Sequence, residues 1–110
     1  MRTLLTVGIM ITATSTITMA DSSYLSHERQ SELIRLVRQD CGSCHGMRLT
    51  GGLGPALTPE VLKDKPAAVL LSTILHGRPG TPMPPWNGFL SESEAAWIVD
   101  ALQKGFPDAR

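Results

Sequence analysis

The chain has few aromatic residues, few cysteines and no excess of either charge. Its 110 residues include two Trp, two Phe, one Tyr and two Cys, with ten basic and ten acidic residues. Without a basic excess to neutralise phosphates, the composition argues against nucleic-acid binding. A hydrophobic content of 42% also argues against a disordered chain and against a membrane protein with several spans. So few aromatic side chains predict that a single domain of this length has only a small core of its own.

The first twenty residues predict a secretory signal peptide. Arg2 gives a basic start, a mostly apolar run follows over residues 4–11, and Thr18-Met19-Ala20 places small residues at −3 and −1 of a cut before Asp21. We therefore expect a signal peptide over 1–20, one domain over 21–110, and export to an oxidising compartment. The alternative is an uncleaved anchor, for which the apolar run is short.

The rest of the sequence predicts an all-α fold with about four helices. No stretch alternates with period two for long enough to predict a strand. Glycine-rich and proline-rich composition predicts loops over residues 41–55 and 77–88. The predicted helices are Tyr24–Asp40 with Ser26 as N-cap, a short helix that starts at Thr58-Pro59, Pro66–His76 ended by Gly77, and a last helix from the capping box Ser91-Glu92-Ser93-Glu94 to Gly105.

One motif carries strong chemical information. Cys41-Gly42-Ser43-Cys44-His45 has the C-x-x-C-H spacing of c-type haem attachment. On a helical turn, Cys41, Cys44 and His45 would share one face, so two thiols could form thioethers with the porphyrin while the imidazole binds iron. A single motif predicts one covalent haem c, which would supply much of the apolar core.

Other interpretations of the cysteine pair are weaker. A zinc site needs further ligands, and the chain has no other cysteine. A thioredoxin-like redox pair would be expected in a βαβ context, which the sequence does not predict. A structural disulfide is the third alternative for an exported protein.

The sixth iron ligand is predicted to be Met83. Met47 lies only two residues beyond His45 and cannot readily reach the opposite side of a haem. Met83 is flanked by prolines, which stiffen the loop and reduce the entropy lost on forming an Fe–S bond. His76 and His27 are the rival ligands. An iron closed on both sides favours electron transfer over catalysis, whereas a displaced Met83 would favour an enzyme or gas sensor.

With these residues identified, the sequence resembles the class I monohaem cytochromes c. The resemblance covers about Leu33 to Phe106, including the C-x-x-C-H motif, Gly54-Pro55, the stretch from Ile74 to Pro84 and the last helix. It implies that the first and last helices cross beside the haem and that the Pro55 carbonyl orients His45. The implied crossing joins Leu33, Leu36 and Val37 to Trp97, Ile98 and Ala101.

Among these cytochromes the sequence is most similar to the cytochromes c55X of denitrification. That resemblance implies a periplasmic electron carrier, not an enzyme, which delivers electrons to cytochrome cd1 nitrite reductase or takes part in maturation of its haem d1. A monomer is the expected state. Trp86 is a candidate to bind a haem propionate through its indole N–H. Arg48 and Arg78 are predicted either to pair with propionates or to contact a partner protein.

Overall fold

The computed structural model describes residues 25–108, and the predicted signal peptide lies outside them. Within this range every regular element is helical and there is no strand, which confirms the all-α prediction. No helix in the range combines the length and the hydropathy needed to cross a bilayer. The helices are α1 (His27–Leu36), a π-helical segment (Val37–Cys41), α2 (Gly42–His45), α3 (Pro59–Leu62), α4 (Ala67–His76) and α5 (Glu92–Lys104).

The caps that the sequence predicts are present at the first and last helices. Ser26 Oγ accepts a hydrogen bond from the Arg29 N–H, so α1 begins at His27. At α5, the Ser91 N–H donates to Glu94 Oε2 while Ser91 Oγ accepts from the Glu94 N–H. These bonds satisfy amide donors that would otherwise have no partner in the first helical turn.

Two predictions about the first half of the chain are wrong. The first helix does not continue as a regular α-helix to Asp40, because the Gly42 N–H donates to the Val37 carbonyl and makes a π-helical turn. Residues 42–45, predicted as loop, form the short helix α2 instead. The helical path therefore extends through His45, and the extra residue in the π turn rotates α2 relative to the buried face of α1.

The core is a single cluster shared by the first helices, the last helix and the loops between them. Leu33 and Val37 belong to the same buried cluster as Ile98 and Leu102, so the first and last helices share one core. Leu102 is buried there, whereas Ala101 is only half-buried. Leu49, Leu62 and Leu90 complete the buried cluster.

An ion pair reinforces this helix contact at its edge. Arg29 Nε donates to Glu94 Oε1 at 2.6 Å, while Arg29 Nη1 binds Glu32 at 2.7 Å. The same Glu94 carboxylate therefore caps α5 and holds α1. Arg29 hydrogen-bonds this carboxylate and, together with the Ser91 N–H, lowers the pKa of Glu94.

Candidate functional site

The C-x-x-C-H motif lies on about one turn of continuous helical backbone. Cys41 ends the π segment with helical backbone angles (φ −66°, ψ −40°), and α2 carries the motif from Gly42 to His45. Cys41, Cys44 and His45 therefore stand three and four residues apart on one face. This is the arrangement that attachment of one porphyrin through two thiols and one imidazole requires.

Both thiols are free and half-buried. Burial, followed by the neighbouring Asp40 carboxylate, raises the pKa of Cys41 to about 11. The thiolate is the reactive form in disulfide exchange, and redox C-x-x-C pairs have a lowered pKa. Cys41 therefore lacks the lowered pKa that is typical of the attacking thiol of a redox pair. In residues 25–108 no three or more His, Cys, Asp or Glu side chains are arranged so that they could hold a metal ion by themselves.

His45 is held in one tautomer by the loop that follows it. Its Nδ1 lies 2.7 Å from the Pro55 carbonyl oxygen. Because a carbonyl can only accept, Nδ1 carries the proton and donates this bond. In the neutral imidazole, Nε2 then keeps its lone pair free for a metal. Such a bond from the second ring nitrogen orients a ligating histidine and increases its basicity.

The loop of residues 46–57 closes tightly around the end of α2. The Gly54 N–H donates to the Cys44 carbonyl and the Gly51 N–H to the His45 carbonyl, both at 2.8 Å. Leu49 is buried with φ of 60°, a backbone conformation that is uncommon for leucine, and its carbonyl accepts from the Leu57 N–H. The sequence does not predict the burial of Leu49, and it indicates Gly54 only as part of a Gly-Pro pair. The backbone hydrogen bonds of Leu49 to Leu57 and of Gly54 to Cys44 join residues eight and ten positions apart, and no local sequence signal reports them.

Met83 belongs to an irregular segment, residues 77–88, that is tied to the end of α4. The Trp86 and Asn87 N–H groups donate to the carbonyls of Ile74 and Leu75, which have no partner within α4. Nearer the helix, the Arg78 N–H donates to the Met83 carbonyl at 3.2 Å. Met83 is half-buried, and these backbone bonds tie the segment that carries it to α4.

The other candidate residues occupy different environments. Trp86 is half-buried, packs against the core cluster and has its ring 5.9 Å from that of Phe89. Arg48 and Arg78 are exposed, and their predicted roles stay predictions. The rival ligands His27 and His76 are exposed at the first residue of α1 and the last residue of α4.

The residues present fit a covalently attached haem. Two free thiols and an imidazole with an available Nε2 lie on one face of a helix, and they form the donor set of a haem c. Helix α4 has the apolar sequence AAVLLSTILH, yet none of its residues is buried. Its half-buried side chains, which include Leu70 and Ile74, lie beside the core and give a porphyrin an apolar surface to pack against.

Comparisons with known proteins agree with this site. Residues 29–100 match the family model described as cytochrome c oxidase, cbb3-type, subunit III. A cytochrome c55X of Pseudomonas aeruginosa is 65% identical over 77 residues, which span 70% of this chain and 65% of that protein, slightly less than two thirds of its length. A second cytochrome c55X, from Stutzerimonas stutzeri, is 59% identical over 80 residues that span 73% of this chain and 71% of that protein.

One solved structure and one enzyme extend the comparison. The structure described as c-type cytochrome NirC is 60% identical, with a TM-score of 0.72 over 74% of this chain and 95% of that chain. The dihydro-haem d1 dehydrogenase of Pseudomonas aeruginosa is 42% identical over 72 residues, which are 66% of this chain but only 15% of the enzyme. On the family match and these relatives, the chain belongs to the cytochrome c55X family of c-type cytochromes, which carry covalently bound haem c.

Proposed function

We propose that the protein is a periplasmic electron carrier of denitrification that delivers electrons to cytochrome cd1 nitrite reductase. In this proposal residues 1–20 direct export and are removed, and residues 21–110 fold as one monomeric domain around one haem c. The family relationship supports the cofactor, and the resemblance to cytochromes c55X supports the pathway.

The proposed ligand set rests on the residues of the site. In the proposed site, Cys41 and Cys44 would attach the haem, His45 and Met83 would bind its iron, and the Pro55 carbonyl would orient His45. The observation that carries the proposal is the hydrogen bond of 2.7 Å from His45 Nδ1 to the Pro55 carbonyl. His45 lies on the same helical face as both thiols. The hydrogen bond fixes the tautomer in which Nε2 can bind iron.

The chain's own residues favour electron transfer over catalysis that makes or breaks covalent bonds. The bound haem supplies one-electron exchange between ferric and ferrous iron. With both His45 and Met83 bound to it, the iron would have no coordination position left for a substrate. The backbone bonds from Trp86 and Asn87 to the end of α4 hold Met83 in place, which limits rearrangement when the charge on the iron changes. The half-buried Trp86 is positioned at this segment, where we assign its indole N–H to a propionate.

The test compares Met83→Ala with Met47→Ala in protein that carries haem. Met47 is a suitable control because its side chain is 63% exposed and lies just beyond α2. Met83→Ala should abolish the sulfur-to-iron charge-transfer band of the oxidised protein and allow carbon monoxide to bind the reduced protein, whereas Met47→Ala should do neither. Persistence of the band in Met83→Ala would refute the assigned ligand. The reduced wild type should transfer its electron to purified nitrite reductase in a stopped-flow experiment, and absence of that transfer would refute the partner.

A second candidate function is electron transfer during haem d1 maturation. The specific observation is that a segment 42% identical to this chain forms 15% of dihydro-haem d1 dehydrogenase, a much larger enzyme. A related domain therefore works within an enzyme that acts on a haem d1 precursor. If this candidate is correct, the protein should accept electrons from such a dehydrogenase during turnover and react slowly with mature nitrite reductase.

A further inference from the structure

The loop after α2 approaches the imidazole of His45 more closely than a side chain would permit. A Cβ atom at Gly54 would lie 2.8 Å from both Nδ1 and Cε1 of His45 and 3.3 Å from Nε2. Distances below about 3 Å to a Cβ atom are far shorter than ordinary van der Waals contact. Only a glycine therefore fits at position 54 while the ring keeps its present position.

The three distances also show which part of the ring Gly54 covers. An approach in the plane of the ring, beyond the Nδ1–Cε1 bond, would leave Nε2 much farther away than the other two atoms. Nε2 is only 0.5 Å farther, so the position of a Cβ lies over the face of the imidazole. In Gly54 an α-hydrogen takes this position and points at that face. Gly54 itself is fixed, because its N–H donates to the Cys44 carbonyl at 2.8 Å.

Two consecutive residues therefore restrain His45 in different directions. The Pro55 carbonyl receives the Nδ1–H bond at the edge of the ring, which restricts its tilt. The backbone of Gly54 lies against the face of the ring, which restricts rotation about the bond from Nε2 to a metal. Together the two contacts define the plane of the imidazole.

We propose that Gly54 is a positioning residue that sets the rotation of the His45 imidazole and thereby tunes the reduction potential of the iron. The inference rests on the proposed function, in which His45 Nε2 binds the haem iron. The orientation of an axial imidazole determines how its π orbital overlaps the iron d orbitals, and a shorter Nδ1–H bond makes the ligand more basic. A methyl group at position 54 would turn the ring and stretch its bond to Pro55.

The test uses Gly54→Ala with two control variants. At Gly52, a Cβ would lie 2.8 Å from the Cys44 carbonyl oxygen, so Gly52→Ala causes an equally close clash in the same loop, with the backbone and not with the ring. At Gly88, a Cβ would meet no atom within 4 Å, so Gly88→Ala reports the effect of a methyl group alone. Each protein is prepared with haem attached and measured by thermal unfolding, electron paramagnetic resonance of the ferric state, and potentiometry.

Gly54→Ala should change the g values and raise the reduction potential relative to both controls, because the weakened Nδ1–H bond makes the ligand less basic. Gly52→Ala should lower the unfolding temperature with a smaller change in both signals. If Gly54→Ala retains the g values and the potential of Gly88→Ala, the proposal is wrong.

A measurement on the wild type covers the case in which Gly54→Ala does not accumulate. In the reduced protein, a Gly54 α-proton should show a nuclear Overhauser effect to the His45 ring protons, and its absence would overturn the proposal. Failure of the proposed function has different signatures: without His45 ligation the wild type itself would lack a histidine-ligated low-spin spectrum, and without the proposed partner it would not transfer electrons to nitrite reductase.

Discussion

Replacing Gly77 by alanine should weaken the hold on Met83. Gly77 follows α4 with φ 69° and ψ −171°, a region occupied almost only by glycine, where another residue costs about 1–3 kcal/mol. A Cβ there would also lie 2.7 Å from the Met83 carbonyl oxygen and 2.8 Å from backbone atoms of Pro84 and Pro85. These are backbone atoms, so the segment that carries Met83 must move. If about 1.4 kcal/mol of this cost falls on the proposed bond between iron and the Met83 sulfur, an added ligand such as imidazole should bind the ferric protein about tenfold more tightly.

Gly80→Ala is the matched control for this experiment. Gly80 also has a positive φ, 77°, but a Cβ at this position would meet no atom within 4 Å. The control therefore includes a backbone cost without displacing Met83. Imidazole titration and the charge-transfer band of the ferric protein should separate the two variants, with tighter binding and a weaker band in Gly77→Ala only. Equal imidazole affinities in Gly77→Ala and Gly80→Ala would refute the reasoning.

Three further perturbations test the core, the ion pair and the attachment site. Leu33→Ala should lower the free energy of unfolding by about 2–5 kcal/mol in a denaturant titration, because Leu33 is fully buried in the core cluster; a loss below about 1 kcal/mol would contradict that packing. The lowered pKa of Glu94 stabilises the folded protein at neutral pH, and this stabilisation is lost as the pH falls through the lowered pKa. The difference in unfolding free energy between the wild type and Glu94→Gln should therefore shrink below about pH 4. A difference that is constant with pH would exclude this linkage. Glu92→Gln, at an exposed position in the same helical turn, is its control. Simultaneous Cys41→Ala and Cys44→Ala should abolish covalent haem and leave little folded protein, whereas a well-folded colourless variant would show that the polypeptide core suffices.

Local signals in the sequence were sufficient for most of the fold. Ser26, the Ser91–Glu94 capping box and the Thr58-Pro59 start each act through bonds or restrictions within one helical turn, and their positions in the structure confirm the predictions. The π segment was missed because no residue type encodes it. It rotates α2 relative to the buried face of α1, and the rotation that is needed is set by tertiary packing.

The same difference between local signals and tertiary contacts applies to the candidate site. The spacing of Cys41, Cys44 and His45 predicts chemistry directly, because the contacts lie within one helical turn. The bond from His45 to Pro55 spans ten residues and was expected only from family resemblance. The face contact of Gly54 and the positive φ of Leu49 depend on how the whole loop closes, and sequence patterns do not report loop closure.

The measurement that tests the account most directly is mass spectrometry of the mature protein, with its visible spectrum, after expression with a cytochrome c assembly system. The account predicts one haem that survives denaturation, mapped to the peptide with Cys41 and Cys44, and a low-spin spectrum with a sulfur-to-iron band in the oxidised state. A mature protein that folds without porphyrin, or whose haem is released on denaturation, would contradict it.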